Sequence, residues 1–436
     1  MKLKNVKSFF LKNNLFNKSI KVLFLRILGV LIFFSLTLFL TNLYPANLVG
    51  RYDFSRSFLM FLGAIVVLGM QQSIIYYSGY YASKNELYKL KAVYLKMLKI
   101  MLFISLIIAF SFLIIDNGFL NTFFQKNVSG IIIKTISALF FYGLTVLNIE
   151  VFRAIDKIFI SEAFRNIFRY IFFLIAIVFL FYIGNKSYLL DVFLLNFVFL
   201  GVLSTSLLAF FFNRYQSDNG MNTNKNIGFK NIIKRSSPMA ISSIAFILMQ
   251  SIDVVLLGKF TNFKMVAYYA VTVKLTMFIS LALTSVNAVL APKISELFAL
   301  GQHQKLKVSI RNGTRLIFAL TIPAIAVLFI FSNYILNFFG KEYVVAKNTL
   351  FILLLGQAVN ALCGSVGIYM NMTGKQNILQ VLLISALFIN LILNWILIPK
   401  YGILGAAIAT SISTVFWNII GATYLYKKDK IKTFLS

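Results

Sequence analysis

Apolar runs long enough to cross a bilayer follow one another along this chain, with polar stretches between them. A helix needs about 20 apolar residues to span the hydrocarbon core, and runs of about 17 or more mark candidates. The first half of the chain holds six: Val22 to Leu43, Ser57 to Tyr77, Met97 to Ile115, Ile131 to Ile149, Ile167 to Ile183, and Leu189 to Phe212. Six more follow: Met239 to Leu257, Tyr268 to Leu290, Leu316 to Phe331, Leu350 to Tyr369, Ile378 to Leu397, and Leu404 to Tyr424. Continuous runs, rather than short alternating ones, exclude strands of a barrel, and in lipid each segment must satisfy its own backbone hydrogen bonds. The pattern predicts an all-α polytopic membrane protein with about twelve transmembrane helices.

The polar stretch Asn213 to Ser237, with Asn219, Gly220, Asn222, Asn224 and Gly228, separates the two sets of six. It predicts an N-terminal six-helix unit over residues 1–212, a cytoplasmic linker over 213–237 and a C-terminal six-helix unit over 238–436. At an offset of 217 residues, Val49, Tyr52, Met60 and Phe61 match Val266, Tyr269, Met277 and Phe278, as a duplicated architecture would. A parallel repeat would place a substrate cavity between its halves.

Composition agrees: 60% of residues are hydrophobic and 12% charged, against about 25% charged in soluble domains. Lys and Arg number 42 against 12 Asp and Glu, a net charge of +30. In a soluble chain that excess would suggest nucleic acid; here basic cytoplasmic loops and anionic lipid account for it, and no nucleic-acid partner is expected. With the N-terminus cytoplasmic, the inner loops and tails carry roughly three times as many Lys and Arg as the outer loops, which predicts both termini inside. The first segment follows Lys2, Lys4, Lys7, Lys12, Lys18 and Lys21 like a signal sequence, but its apolar part is long and no small-residue cleavage site follows, so it reads as an uncleaved span. Extramembrane segments of at most roughly 25 residues are too short for a soluble catalytic domain.

One cysteine, Cys363, and one histidine, His303, leave no disulfide framework, redox pair, metal cluster or histidine triad to expect. No catalytic residue and no cofactor is expected. What remains are ionisable residues inside spans, which cost roughly 2.5–3.5 kcal/mol each near a helix centre and need partners or water. Asp253 and Lys274 lie at similar depth on consecutive helices, which permits an ion pair between them. Arg26, Lys99 and Arg169 enter their spans from the cytoplasmic side and can snorkel to the headgroups. Arg51 and Arg56 flank the outer mouth of the second span, and Lys134 lies just inside the outer end of the fourth. The positive-inside rule does not explain outer or embedded cations. Arg51, Arg56, Lys134 and Lys274, with Arg26, are therefore the candidates for an anionic substrate headgroup.

Other features read as packing. Gly405, Ala409 and Ser413 place small residues on one face of the last span, where another helix can approach. Pro323 is expected to kink the ninth span. Pro292 to Thr314 reads as an interfacial helix, as does the N-terminal tail with Leu3, Val6, Phe9 and Phe10 among its lysines.

The segment NMTGKQNILQVLLISALFINLILNWILIPKYGILGAAIATSIS, from Asn371 to Ser413, resembles the eleventh and twelfth spans of polysaccharide exporters in the multidrug/oligosaccharidyl-lipid/polysaccharide superfamily. Its most specific piece is I-P-x-Y-G-I-x-G-A-A-x-A-T. MQSIDVVLLGKF and MVAYYAVTVKL within Met249 to Leu275, APKISEL at Ala291 to Leu297 and NLVGRYDFSRSF at Asn47 to Phe58 resemble that family in order and spacing. The resemblance implies two six-helix bundles around a central cavity, MATE-like, and the activity of Wzx-type flippases of O-antigen, capsule or exopolysaccharide repeat units. The implied substrate is an undecaprenyl diphosphate-linked oligosaccharide, moved from the cytoplasmic to the outer leaflet of a bacterial inner membrane by alternating access. Membrane lipid and polysaccharide polymerase or assembly proteins are the implied partners. Gln250 and Asp253, and Arg51 and Asp53, carry the family motifs; Asp253 with Gln250 is the candidate for coupling to a proton or sodium gradient. The alternatives are a multidrug or cation antiporter of the same superfamily, expected to hold acidic residues in its cavity, and a membrane polymerase or glycosyltransferase, expected to show a large outer loop.

Overall fold

The structure, a computed structural model, describes residues 2–82, 86–124, 127–216 and 228–434. Part of the expected linker, residues 217–227, lies outside the described residues. Within them the regular structure is helical, as chains that must satisfy every peptide group inside lipid are. In order the helices are α1 (Lys2–Leu43), α2 (Ala46–Val67), α3 (Met70–Ala82), α4 (Leu90–Ile114), α5 (Asn117–Phe123), α6 (Ser129–Ser137), α7 (Leu139–Ala154), α8 (Ile158–Ala163) and α9 (Arg169–Ile183). They continue with α10 (Leu189–Gln216), α11 (Phe229–Phe260), α12 (Phe263–Ala299), α13 (His303–Ile330), α14 (Ser332–Phe338), α15 (Lys347–Cys363), α16 (Val366–Met372), α17 (Gln376–Tyr401) and α18 (Ile403–Asp429).

Among the described residues, ten helical stretches are long and apolar enough to cross a membrane, and up to twelve if each of two bent pairs is one span. One pair is α2 with α3, bent by 41°; the other is α6 with α7, bent by 42°. The second span was expected as one apolar run from Ser57 to Tyr77, but α2 begins at Ala46 and the helix breaks at Leu68 and Gly69, whose φ angles are 45° and 71°. Two successive left-handed residues cannot continue a right-handed helix, and leucine resists that conformation where glycine does not. A Cβ at Gly69 would lie 2.6 Å from both Ser236 O and Ala240 N, so backbone packs against the break. Beside it the Ser73 and Ser236 hydroxyls share a hydrogen bond of 2.7 Å.

The expected interfacial helix from Pro292 to Thr314 does not form separately. Pro292 sits inside the 37-residue α12, which runs on to Ala299, and α13 starts afresh at His303. The basic N-terminal tail likewise continues into the first span as one helix, α1. Asn262 starts α12 by accepting from Met265 N at 3.0 Å, one of the otherwise unpaired donors of a first turn.

The chain forms two compact units, which do not coincide with the sequence halves. One contains Met1–Leu43, Leu62–Phe119 and Val128–Ala240; the other contains Tyr44–Phe61, Leu120–Asn127 and Ile241–Ser436. In the first unit α4, α7 and α10 are tied by a buried polar knot. Tyr94 donates to Asn148 Oδ1 at 2.7 Å, and Asn148 Nδ2 donates to Ser204 at 2.8 Å and Thr205 at 2.9 Å.

The second unit buries Ile294, Ile310, Ile317, Val366, Met370 and Leu425 in one apolar cluster, which the tail residue Ile431 joins. Thr314 donates to Thr433 O at 2.6 Å, holding that tail down. The small-residue face of α18 packs as expected: Ala409 and Ser413 are fully buried, and a Cβ at Gly405 would stand 2.3 Å from the Leu397 carbonyl of α17. The segment Tyr44–Phe61 enters this unit by an equally close approach. A Cβ on Gly50 would lie 1.7 Å from Phe263 O, which only a glycine permits.

Candidate functional site

Two groups of buried polar side chains lie inside the second unit. The first is built on Asp53 of α2 and Lys274 of α12. Lys274 Nζ stands 2.8 Å from Asp53 Oδ1 and donates to Oδ2 at 3.1 Å, and both side chains are almost fully buried. Arg56, one turn along α2, brings Nη1 to 4.0 Å from the same carboxylate. The Tyr52 ring faces Lys274 Nζ at 5.7 Å. Arg51 on the same helix is exposed, with its guanidinium 5.8 Å from the Phe263 ring centre. Two cations therefore share one carboxylate, and a third lies two residues from it on α2.

The second group surrounds Asp253 of α11. Its Oδ2 accepts from the Tyr269 hydroxyl at 2.8 Å and from the Thr410 hydroxyl, and its Oδ1 accepts from Asn394 Nδ2 at 2.9 Å. Asn394 also donates to Asn390 Oδ1 at 3.0 Å, and Asn390 donates to Ser413 at 3.2 Å. Four helices, α11, α12, α17 and α18, converge on one buried carboxylate whose named partners are all neutral. That donor set holds a carboxylate without an ion pair, and a carboxylate so held can take up a proton or a small cation.

The expected pairing of Asp253 with Lys274 is therefore not the one formed. Lys274 pairs with Asp53, 221 residues away in sequence, and Asp253 is satisfied by hydroxyls and an amide. Equal depth fixes position along the membrane normal but leaves open which way each side chain points round its helix. Gln250, one turn before Asp253, is exposed and stands outside the Asp253 group.

The remaining candidates lie in the first unit. Arg26 of α1 donates to Glu162 through Nη2 at 2.8 Å and Nε at 3.0 Å, and Asn166 Nδ2 adds a bond to Glu162 Oε2 at 2.9 Å. This fork closes on Phe164–Phe168, a π-helical turn between α8 and α9, and such turns often occur at functional sites. Lys134 is 54% exposed on its side chain and bonds Asp191 Oδ1 at 2.6 Å. Arg169, expected to snorkel, instead lies 5.5–5.9 Å from the ring centres of Phe197, Tyr142 and Tyr170.

Sequence reading missed Tyr269, Thr410, Asn390 and Asn394 at the Asp253 group, and Glu162 and Asp191 as partners of cations. A signal was present for two of them: Asn390 and Asn394 stand at i and i+4 in an apolar run, one face of a span that needs a polar partner.

Compared with known proteins, the sequence matches the model of the family described as "Polysaccharide biosynthesis protein" over residues 10–298 and that of the MatE family over residues 238–396. It is 27% identical over 212 residues to the probable low-salt glycan biosynthesis flippase Agl15 of Haloferax volcanii, covering 48% of this chain and 45% of that one. It is 30% identical over 219 residues to the capsular polysaccharide biosynthesis protein CapF of Staphylococcus aureus, covering 47% and 52%. The chain thus spans about half the length of these curated relatives. The solved structure of the lipid II flippase MurJ, in an inward closed conformation, superposes with a TM-score of 0.73 at 17% identity, over 93% of this chain and 87% of that one. At that identity the likeness establishes the fold, a multi-pass helical membrane protein.

Proposed function

The chain belongs to the polysaccharide biosynthesis protein family, and on that premise we propose that it is a flippase. Its substrate is an undecaprenyl diphosphate-linked oligosaccharide, a repeat unit of O-antigen, capsule or exopolysaccharide, moved from the cytoplasmic to the outer leaflet of a bacterial inner membrane by alternating access. Both termini are cytoplasmic, and polymerase or assembly proteins receive the product.

The observation that carries this reading is the cluster of cations around Asp53. Lys274 and Arg56 share one carboxylate, and Arg51 adds a third cation. Keeping such charges in a span costs several kcal/mol unless something anionic meets them, and a diphosphate does. Lys134 and Arg26 are proposed as further headgroup contacts, each held in place by a carboxylate until substrate competes for it. Carrying negative charge outward across an inside-negative membrane is favourable by about 2.3 kcal/mol per charge per 100 mV.

Coupling to a proton or sodium gradient is assigned to Asp253, with Tyr269, Thr410 and Asn394 holding it, and Gln250 on the neighbouring turn. The MatE match over residues 238–396 favours a second reading, a multidrug or cation antiporter. The charge at the binding group separates the two, because an organic cation needs a net negative site.

The test is export of surface polysaccharide, or headgroup accessibility in reconstituted vesicles, normalised to protein abundance. Arg51→Gln and Arg56→Gln are expected to lower transport severalfold, with Lys at either position restoring part of it. Transport by both Gln variants at the parent rate would remove the anionic-headgroup assignment. Asp253→Asn is expected to make transport indifferent to imposed proton and sodium gradients, and an unchanged response would remove the coupling assignment.

A further inference from the structure

Lys259, the penultimate residue of α11, is 8% exposed. Its Nζ lies 3.4 Å from the centre of the Phe123 ring, 4.3 Å from Trp395 and 5.2 Å from Phe260. All four residues belong to the second unit. Ring faces attract the charge of an ammonium, but an ammonium also carries three N–H donors that seek oxygen or nitrogen. Among the described residues, Lys259 has neither a carboxylate nor a hydrogen-bond acceptor. Those donors have no acceptor among the described residues, and a bound oxyanion would supply one.

The position of the cage narrows what they are. Lys259 is the penultimate residue of the candidate span Ser243–Phe260, and the end of a span is where a helix meets lipid headgroups. Trp395 and Phe123 are 50% and 42% exposed, so two of the rings that hold Lys259 reach the surface, as aromatic residues of the interfacial belt do. Lys264, at the start of α12, is exposed and adds positive charge a few residues on. A quaternary ammonium headgroup would compete for ring faces that Lys259 already occupies, whereas a phosphate presents the oxygens that Nζ lacks. We infer that Lys259, caged by Phe123, Trp395 and Phe260, is a binding site for the phosphate of an anionic membrane lipid. The site is independent of the transport reading, and its test reads lipid contact rather than export.

Trp395 is a built-in reporter, because the chain has two tryptophans, Trp395 and Trp417. A Trp417→Phe protein is reconstituted in phosphatidylcholine vesicles containing either brominated phosphatidylglycerol or brominated phosphatidylcholine, and quenching of Trp395 is compared. The anionic lipid is expected to be enriched about fivefold at Trp395, the effect of one lysine near an anionic headgroup. Lys259→Gln is expected to abolish the preference; Lys259→Arg and Lys264→Gln should retain it, with emission maximum and abundance confirming the fold. Equal quenching by the two lipids, or an undiminished preference in Lys259→Gln, would overturn the site. Excess inorganic phosphate should leave the preference intact; if it erases the preference, the site takes a soluble anion and the lipid assignment fails.

Discussion

Removing the Lys274 ammonium would strand the Asp53 carboxylate in a buried site, with Arg56 4.0 Å away as its remaining cationic neighbour. Breaking one side of a buried ion pair typically costs about 3–5 kcal/mol, whereas replacing both partners with neutral groups costs far less. Lys274→Gln is therefore expected to reduce folded protein sharply, and Asp53→Asn on that background to recover much of it. In the same thermal or denaturant measurement Asp253→Asn and Lys274→Gln should add to within about 0.5 kcal/mol, since they share no partner. Coupling between Asp253 and Lys274 larger than between Asp53 and Lys274 would contradict the observed pairing. That both residues matter was legible from their charge in apolar runs. Their partners were not, because apolar periodicity orders residues along a helix and says little about which neighbour a side chain meets.

The break between α2 and α3 makes a prediction at the scale of the element. Leu68 adopts a φ of 45°, a conformation that costs a non-glycine residue of order 1–3 kcal/mol. Leu68→Gly is expected to leave the protein as stable or more stable by up to about 1 kcal/mol, the reverse of the usual effect of glycine within a span. Gly69→Ala should be destabilising, since its Cβ would meet Ser236 and Ala240 backbone at 2.6 Å. Melting midpoints in detergent check both; a loss on Leu68→Gly matching that on Gly69→Ala would show that the break is not strained at Leu68. Hydropathy could not reveal this break, because Val66, Val67, Leu68 and Met70 are apolar on both sides of it. Gly50 tells a similar story. Its glycine is visible in sequence, but the approach of the Phe263 carbonyl is not.

For the whole molecule, the charge bias across the loops predicts that reporter fusions after Lys430 and Ser217 read as cytoplasmic and one after Asn262 as external. An external signal at Lys430 would reverse the orientation and with it the direction of transport. Twelve apolar runs agree with the ten long helices among the described residues and the two bent pairs, if each pair is one span. The division into sequence halves is another matter, since Tyr44–Phe61 and Leu120–Asn127 pack with the residues after Ile241. Short connectors between spans leave a helix free to join whichever neighbours its small and charged residues fit.

The sequence by itself determined the excess of positive charge and the membership of a polysaccharide family, and also the helical nature of the spans and their approximate number, because bilayer insertion and backbone hydrogen bonding are local demands met residue by residue. What only the tertiary structure decided is who meets whom: Lys274 with Asp53, Asp253 with Tyr269, Thr410 and Asn394, and Lys259 with three rings. Those pairings depend on the rotation and bending of helices against one another. Lipid-facing and protein-facing surfaces are equally apolar, so one-dimensional hydropathy leaves that rotation unspecified.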